Sequence, residues 1–167
     1  VSRGLGDVYK RQIRQLTGPD TMIIIISAYD WSSIEAEARA AGADYFISKP
    51  LFRASVYETF TKFRGRNSVE LKQQAVESAF LGKKVLLVED NELNMEIAKS
   101  LLEMHGLCIV TAKDGRAAVH TFEVSPEGSF FAVLMDIRMP EMNGLEATRA
   151  IRAMDRSDAL SLIHISE

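Results

Sequence analysis

The chain has 167 residues, of which 47% are hydrophobic and 26% are charged, a composition typical of a globular protein. Its net charge of -3 argues against a broad nucleic-acid-binding face, which needs clustered lysine and arginine. Cys108 is the only cysteine, which excludes an internal disulfide and a cysteine metal cluster and favours a reducing, cytoplasmic location.

The two ends of the sequence look foreign to the rest of it. Residues 5–12, LGDVYKRQ, can be encoded by a DNA whose reverse complement encodes LSLIHISE, residues 160–167. One DNA element read on opposite strands explains both, and it resembles the transposase adapter used to build sequencing libraries. We therefore interpret residues 1–12 and 160–167 as adapter-derived tails and exclude them from fold reasoning. Residues 13–159 are expected to be an internal piece of a longer gene.

Residues 13–63 are predicted to alternate strands and helices. After a helical pattern at Ile13 to Leu16, Met22 to Ile26 has the pattern of a strand buried on both faces, and it is too short to cross a bilayer. Asp30 or Ser32 is the candidate cap of the next helix. The following elements are that helix, which stops at Gly42, a strand over Tyr45 to Ser48 closed by Lys49-Pro50, and a helix marked by Val56, Phe60 and Phe63.

Residues 64–82 are polar and are predicted to be a linker that leads into a second alternating segment, residues 83–159. This segment comprises a strand over Lys84 to Val88, an amphipathic helix marked by Leu93, Ile97, Leu101 and Leu102, a strand over Leu107 to Ala112, a helix over Gly115 to Phe122, a strand over Phe131 to Met135, and a helix that begins near Asn143. Such alternation predicts an α/β fold with a parallel sheet and helices on both faces.

Three carboxylates follow two of the predicted strands. Glu89 and Asp90 come after one strand and Asp136 after another, so they meet at the carboxyl edge of the sheet if those strands are neighbours. Open α/β sheets place their ligands at this edge. Like charges at such short range repel one another unless a cation lies among them, and oxygen ligands with open positions suit Mg²⁺.

The segments VLLVEDN and MDIRMPEMNG resemble the receiver domain of two-component response regulators. The resemblance implies that Asp136 accepts a phosphoryl group from the phosphohistidine of a histidine kinase or a histidine phosphotransfer domain. It also implies that Glu89 and Asp90 hold Mg²⁺ together with Asp136 and the backbone carbonyl of Arg138. A receiver is a signalling module and not an enzyme with an external substrate.

The segments IIIISAYD and YFISKP resemble the other half of a receiver. By that resemblance, Ser27 and Lys49 bind the phosphoryl oxygens, and Phe46 is an aromatic switch that responds when the hydroxyl of Ser27 moves. The Lys49-Pro50 peptide bond is often cis in the family. No contact with a membrane or a nucleic acid is expected of this fragment, although a longer parent protein can be membrane-anchored.

The order of the two halves departs from the family. Residues 13–63 resemble the C-terminal half of one receiver and residues 83–159 the N-terminal half of the next, as in the tandem receivers of hybrid sensor histidine kinases. We hypothesise that the halves complement each other into one circularly permuted, flavodoxin-like sheet of five parallel strands in the order 2-1-3-4-5. The hypothesis fails if Ser27 and Lys49 lie far from Asp136.

Other interpretations of the same residues remain open. A Mg²⁺-dependent phosphohydrolase resembling the haloacid dehalogenases would need an aspartate at the position of Arg138, and a flavodoxin-type binder would need a glycine or hydroxyl loop in place of Glu89-Asp90. A pseudoreceiver that only mediates protein contacts is a further alternative. Asp136 and the acidic pair could merely cap helices, Lys49 could be solvated, and Phe46 could be ordinary core.

Overall fold

The computed structural model describes residues 21–28, 31–52, 54–56, 58–59 and 80–159. The predictions for both tails, for Ile13 to Leu16, for Asp30, for Phe60 and Phe63, and for most of the linker fall outside these residues. The described elements are β1 (Met22–Ser27), α1 (Glu35–Ala41), β2 (Tyr45–Ser48), β3 (Lys84–Val88), α2 (Glu92–Glu103), β4 (Cys108–Ala112), α3 (Gly115–Val124), β5 (Ala132–Asp136) and α4 (Gly144–Arg152). Residues 54–56 and 58–59 are also helical.

All five strands form one parallel sheet in the order β2-β1-β5-β3-β4. Counted from β3 as the first strand, this is the predicted order 2-1-3-4-5 in circularly permuted connection, so the flavodoxin-like α/β fold is confirmed. The central pairing joins β1 to β5, from Met22 opposite Ala132 to Ile26 opposite Asp136. Residues 21–59 and 80–159 therefore share a single sheet.

The isoleucine run of β1 is buried on both faces of the sheet, as predicted. Ile23 and Ile25 pack with the core residues of α1, α3 and α4, whereas Ile24 and Ile26 pack with those of α2 and with Val56. Successive side chains of a strand point to opposite faces, so an uninterrupted apolar run is what a central strand covered on both sides requires.

Two local predictions differ from the structure. Ser32 is not the N-cap residue of α1, because this helix begins after Ile34, whose side chain makes no capping hydrogen bond. In α2, Leu93 and Ile97 are 69% and 58% exposed, and the buried residues are Ala98 and Leu102. The helix is amphipathic as predicted, and Leu101 and Leu102 of the predicted set do pack in the core, whereas Leu93 and Ile97 do not. No helix among the described residues has both the length and the hydropathy needed to span a bilayer.

A buried ion pair ties the two segments together. The Arg152 Nη2 atom lies 2.7 Å from Asp44 Oδ2, and the two side chains are 8% and 1% exposed. Asp44 Oδ2 also accepts a hydrogen bond from the backbone N–H of Ile23, at 2.8 Å, and Arg152 Nε donates to the carbonyl of Gly42, at 3.0 Å. Arg152 thus fixes the end of α4 against the loop between α1 and β2.

We expect Arg152→Met to lower the free energy of unfolding by about 3 kcal/mol, because it leaves the Asp44 carboxylate buried without its cation. Urea denaturation followed by circular dichroism measures this change. Arg149→Met is the matched control, since the Arg149–Glu37 pair also joins the two segments but is about half exposed; it should cost about 1 kcal/mol or less. Equal losses in the two variants would contradict a shared, tightly packed sheet.

Candidate functional site

Three carboxylates converge at the carboxyl edge of the sheet. Glu89 and Asp90 directly follow β3, and Asp136 is the last residue of the adjacent strand β5. One oxygen from each of the three side chains lies within 4.8 Å of the other two. Glu89 and Asp136 are buried, while Asp90 is exposed at the mouth of the cluster. The predicted convergence therefore occurs, and it follows from β3 and β5 being neighbours.

Lys49 reaches this cluster from the other segment of the chain. Its Nζ atom lies 2.7 Å from Glu89 Oε2 and 3.2 Å from Asp136 Oδ2. Lys49 follows β2, its backbone N–H donates to the carbonyl of Ser27 at 2.8 Å, and its peptide bond to Pro50 is cis. The condition set for complementation is met for Lys49, because residues from both halves meet at one site.

The remaining predicted residues lie around the same edge. Ser27 is buried at the end of β1, one residue beyond Ile26, the partner of Asp136 in the sheet. Phe46 lies half-buried in β2, with the guanidinium carbon of Arg39 5.3 Å from its ring centroid. Arg138 is exposed in the loop after Asp136. The structure thus places Ser27 and Arg138 next in sequence or in the sheet to the residues of the cluster, and Phe46 within the strand that leads to Lys49; the roles assigned to them stay predictions.

Burial and charge act on Asp136 in opposition. Burial raises the pKa of the Asp136 carboxyl, Lys49 lowers it, and the negative charges of Glu89 and Asp90 raise it again, so that the net direction is upward. For Lys49, burial lowers the pKa, but the hydrogen bond to Glu89 and the charges of Asp136 and Glu89 outweigh it and raise the pKa. Lys49 is therefore cationic, and it offsets only part of the acidic charge.

We expect Asp136→Asn to raise the melting temperature of the metal-free protein at neutral pH. A folded-state pKa above the unfolded value means that ionised Asp136 weakens the fold, so its contribution is favourable only in acid and is lost as the pH rises. A gain of about 1 kcal/mol corresponds to about 2–4 °C in a domain of this size. Thermal denaturation at several pH values between about 4 and 8 should show that the gain in melting temperature becomes smaller as the pH is lowered. A gain that grows toward acid would reverse the sign of the effect.

The donor set suits a small, hard divalent cation. Three carboxylates and the Lys49 ammonium leave a net charge of two negative units, which a divalent ion neutralises. Carboxylate oxygens, together with water molecules, are the ligands that Mg²⁺ favours. The residues present therefore fit Mg²⁺, with Glu89, Asp90 and Asp136 as the side chains that would hold it.

Two supporting residues were missed by the sequence reasoning. The backbone N–H of Asn91 donates to Glu89 Oε1 at 3.2 Å, while its side chain caps α2 by accepting from the N–H of Asn94. Asn143 caps α4 in a reciprocal pair with Glu146. Asparagine directly before a helical pattern is a capping signal that could have identified both.

Comparisons with known proteins agree with this geometry. Residues 85–167 match the family model described as response regulator receiver domain. Histidine kinase 3 of Arabidopsis thaliana is 34% identical over 140 residues, which cover 79% of this chain and 13% of that protein. Probable histidine kinase 4 of Oryza sativa is 43% identical over 75 residues, which cover 45% of this chain and 7% of that protein. Hybrid signal transduction histidine kinase I of Dictyostelium discoideum is 41% identical over 83 residues, which cover 48% of this chain and 5% of that protein. No solved structure matches the chain.

Proposed function

Residues 85–167 place this chain in the response regulator receiver family, and we propose that it is a phosphorelay receiver in which Asp136 accepts a phosphoryl group from a phosphohistidine. The observation that carries the proposal is the meeting of Lys49 with Asp136 and Glu89 at the edge of the shared sheet. A nucleophilic carboxylate, an acidic pair and a fixed cation are the groups that phosphoryl transfer requires.

The proposed reaction is an in-line transfer to Asp136. One carboxylate oxygen of Asp136 forms the new O–P bond while the P–N bond to the donor imidazole breaks, and the electron pair of that bond stays on the donor nitrogen. Lys49 and Ser27 hold the phosphoryl oxygens. Negative charge spreads over these oxygens during the transfer, so a fixed ammonium close to Asp136 stabilises the transition state more than the ground state.

Mg²⁺ is the proposed cofactor, held by Glu89, Asp90, Asp136 and the backbone carbonyl of Arg138. When bound, it would neutralise charge on the transferring phosphoryl group. In its absence the Lys49 ammonium already lies against both Glu89 and Asp136. Phe46 is proposed to report phosphorylation through a change at Ser27, and its half-buried position leaves the ring partly accessible from outside.

We further propose that the chain spans two consecutive receivers of a longer protein, with residues 13–63 from the first, 64–82 as a linker and 83–159 from the second. The match to the plant histidine kinase supports this arrangement. It covers 79% of the chain, more than residues 80–167 can supply, so the match extends into the segment that precedes residue 80. The chain spans about an eighth or less of the curated relatives, so their kinase activity is not attributed to this fragment.

The partner implied by this function is a phosphohistidine donor, either a histidine kinase or a histidine phosphotransfer domain. The fragment acts as a signalling module with no external substrate. A cytoplasmic location stays a prediction that rests on the single cysteine, Cys108.

Incubation of the intact chain with Mg²⁺ and acetyl phosphate tests the proposal. Mass spectrometry should detect a single added phosphoryl group, and chelation of Mg²⁺ should reduce the rate at least about 100-fold, because the Lys49 ammonium offsets only part of the negative charge of the three carboxylates. An unchanged mass under these conditions would contradict a competent receiver site. Equal phosphorylation with and without Mg²⁺ would contradict the metal assignment alone.

A further inference from the structure

We propose that Gly144 is a positioning residue for the acceptor Asp136, an inference that rests on the proposed phosphorelay function. Gly144 is the buried first residue of α4. A Cβ atom placed on it would overlap the carbonyl oxygen of Asp136 and lie 2.9 Å from the carbonyl carbon. Any side chain at this position would force apart the start of α4 and the end of β5, so the missing Cβ is what lets the helix rest against the acceptor.

The same residue also binds the next peptide group. The backbone N–H of Gly144 donates to the carbonyl of Ile137 at 2.9 Å, and a Cβ would lie 3.0 Å from the Cα of Ile137. This hydrogen bond fixes the peptide plane between Ile137 and Arg138. The proposed acceptor and the carbonyl proposed as a metal ligand therefore lie on either side of a peptide group that Gly144 holds in place.

The helix end that carries Gly144 is itself rigid. The Asn143 side chain accepts from the N–H of Glu146, and the Glu146 carboxylate accepts from the N–H of Asn143, both at 2.9 Å. The buried Thr148 hydroxyl donates to the carbonyl of Gly144 at 2.7 Å. Because α4 also buries Leu145 and Ile151 in the core, its first turn is a fixed support against which the end of β5 is held.

Gly144→Ala in the full chain tests the inference by three measurements: the Mg²⁺ dissociation constant, the phosphorylation rate at saturating Mg²⁺, and the separation of the Asp136 and Glu89 carboxylates in a metal-free crystal structure. We expect a changed separation, about tenfold weaker Mg²⁺ binding and at least about tenfold slower phosphorylation, since small misplacements of reacting groups are costly. Leu102→Ala is the control, because the variant destabilises the protein through a fully buried residue of α2, in the core cluster on the other face of the sheet from α4. It should leave all three values unchanged.

A folded Gly144→Ala chain with an unaltered Mg²⁺ dissociation constant and rate would overturn the inference. If that variant does not fold, Asn143→Ala tests the inference instead, because it removes the cap at the start of the same helix without adding bulk. Weaker Mg²⁺ binding by this variant supports the inference, and unchanged binding overturns it. If the unaltered chain neither binds Mg²⁺ nor accepts a phosphoryl group, the proposed function fails. The distance between the Asp136 and Glu89 carboxylates in the metal-free Gly144→Ala structure then still tests the positioning role. A changed distance supports this role, and an unchanged distance contradicts it.

Discussion

Asp136→Asn is expected to abolish phosphorylation of the chain by a phosphohistidine donor or by acetyl phosphate, lowering the rate by at least about 1,000-fold. The amide is neutral and a poor nucleophile. The other buried carboxylate of the cluster is Glu89. Glu89 contacts Lys49 but is also held by the N–H of Asn91. Phosphate incorporation measured by mass spectrometry, with the donor in excess, gives the rate directly.

The control for this variant is Asp155→Asn, which removes one exposed carboxylate just after α4 and should leave the rate unchanged. Both variants must retain the circular dichroism of the unaltered chain. Residual phosphorylation of Asp136→Asn at a substantial rate would place the acceptor elsewhere, and peptide mapping would then identify it. That result would contradict the assignment of Asp136 as the phosphoryl acceptor, but it would not affect the description of the fold.

Lys49→Met is expected to change two properties in opposite directions. Phosphorylation should slow by about 100-fold, because the variant removes a fixed donor from the transition state. Mg²⁺ binding should become tighter, by roughly tenfold, because Lys49 places a positive charge in the acidic cluster and occupies an oxygen of Glu89. Methionine preserves the length and apolar stem of the side chain, so its packing beside Glu89 and Asp136 is largely maintained.

This second variant also tests whether the two segments form one site. Lys49 belongs to the segment that precedes the linker, whereas Asp136 and Glu89 belong to the segment that follows it. Lys83→Met is the matched control, since Lys83 is exposed before β3, at the opposite end of that strand from Glu89. If Lys49→Met and Lys83→Met leave both the rate and the Mg²⁺ affinity unaltered, the segments do not cooperate in solution.

Local patterns in the sequence were sufficient to predict the strands and the acidic cluster. The apolar run of β1 predicted a strand buried on both faces, and the structure confirms it. Glu89, Asp90 and Asp136 were placed at strand ends because charged residues directly follow apolar runs there. Their meeting was also predictable, because it needs only that β3 and β5 are neighbours in a parallel sheet.

Helix orientation and contacts between distant residues were harder to predict. Leu93, Ile97, Leu101 and Leu102 marked the predicted apolar face of α2, yet only Leu101 and Leu102 pack in the core, because which stripe faces inward depends on how the helix docks. Ser32 has the chemistry of a cap but lies in the turn before α1. The geometry of the turn, and not the residue type alone, decides whether a hydroxyl reaches the first free N–H groups.

The sequence by itself determined the alternation of elements, the core strand and the identity of the clustered carboxylates, because these depend on residues close together in the chain. Only the tertiary structure decided that Lys49 bridges Glu89 and Asp136, that Arg152 pairs with Asp44, and that Gly144 lies against the carbonyl group of Asp136. These contacts join residues from different elements, and their distances are fixed by the packing of the sheet and helices. Spacing along the chain carries no information about such distances.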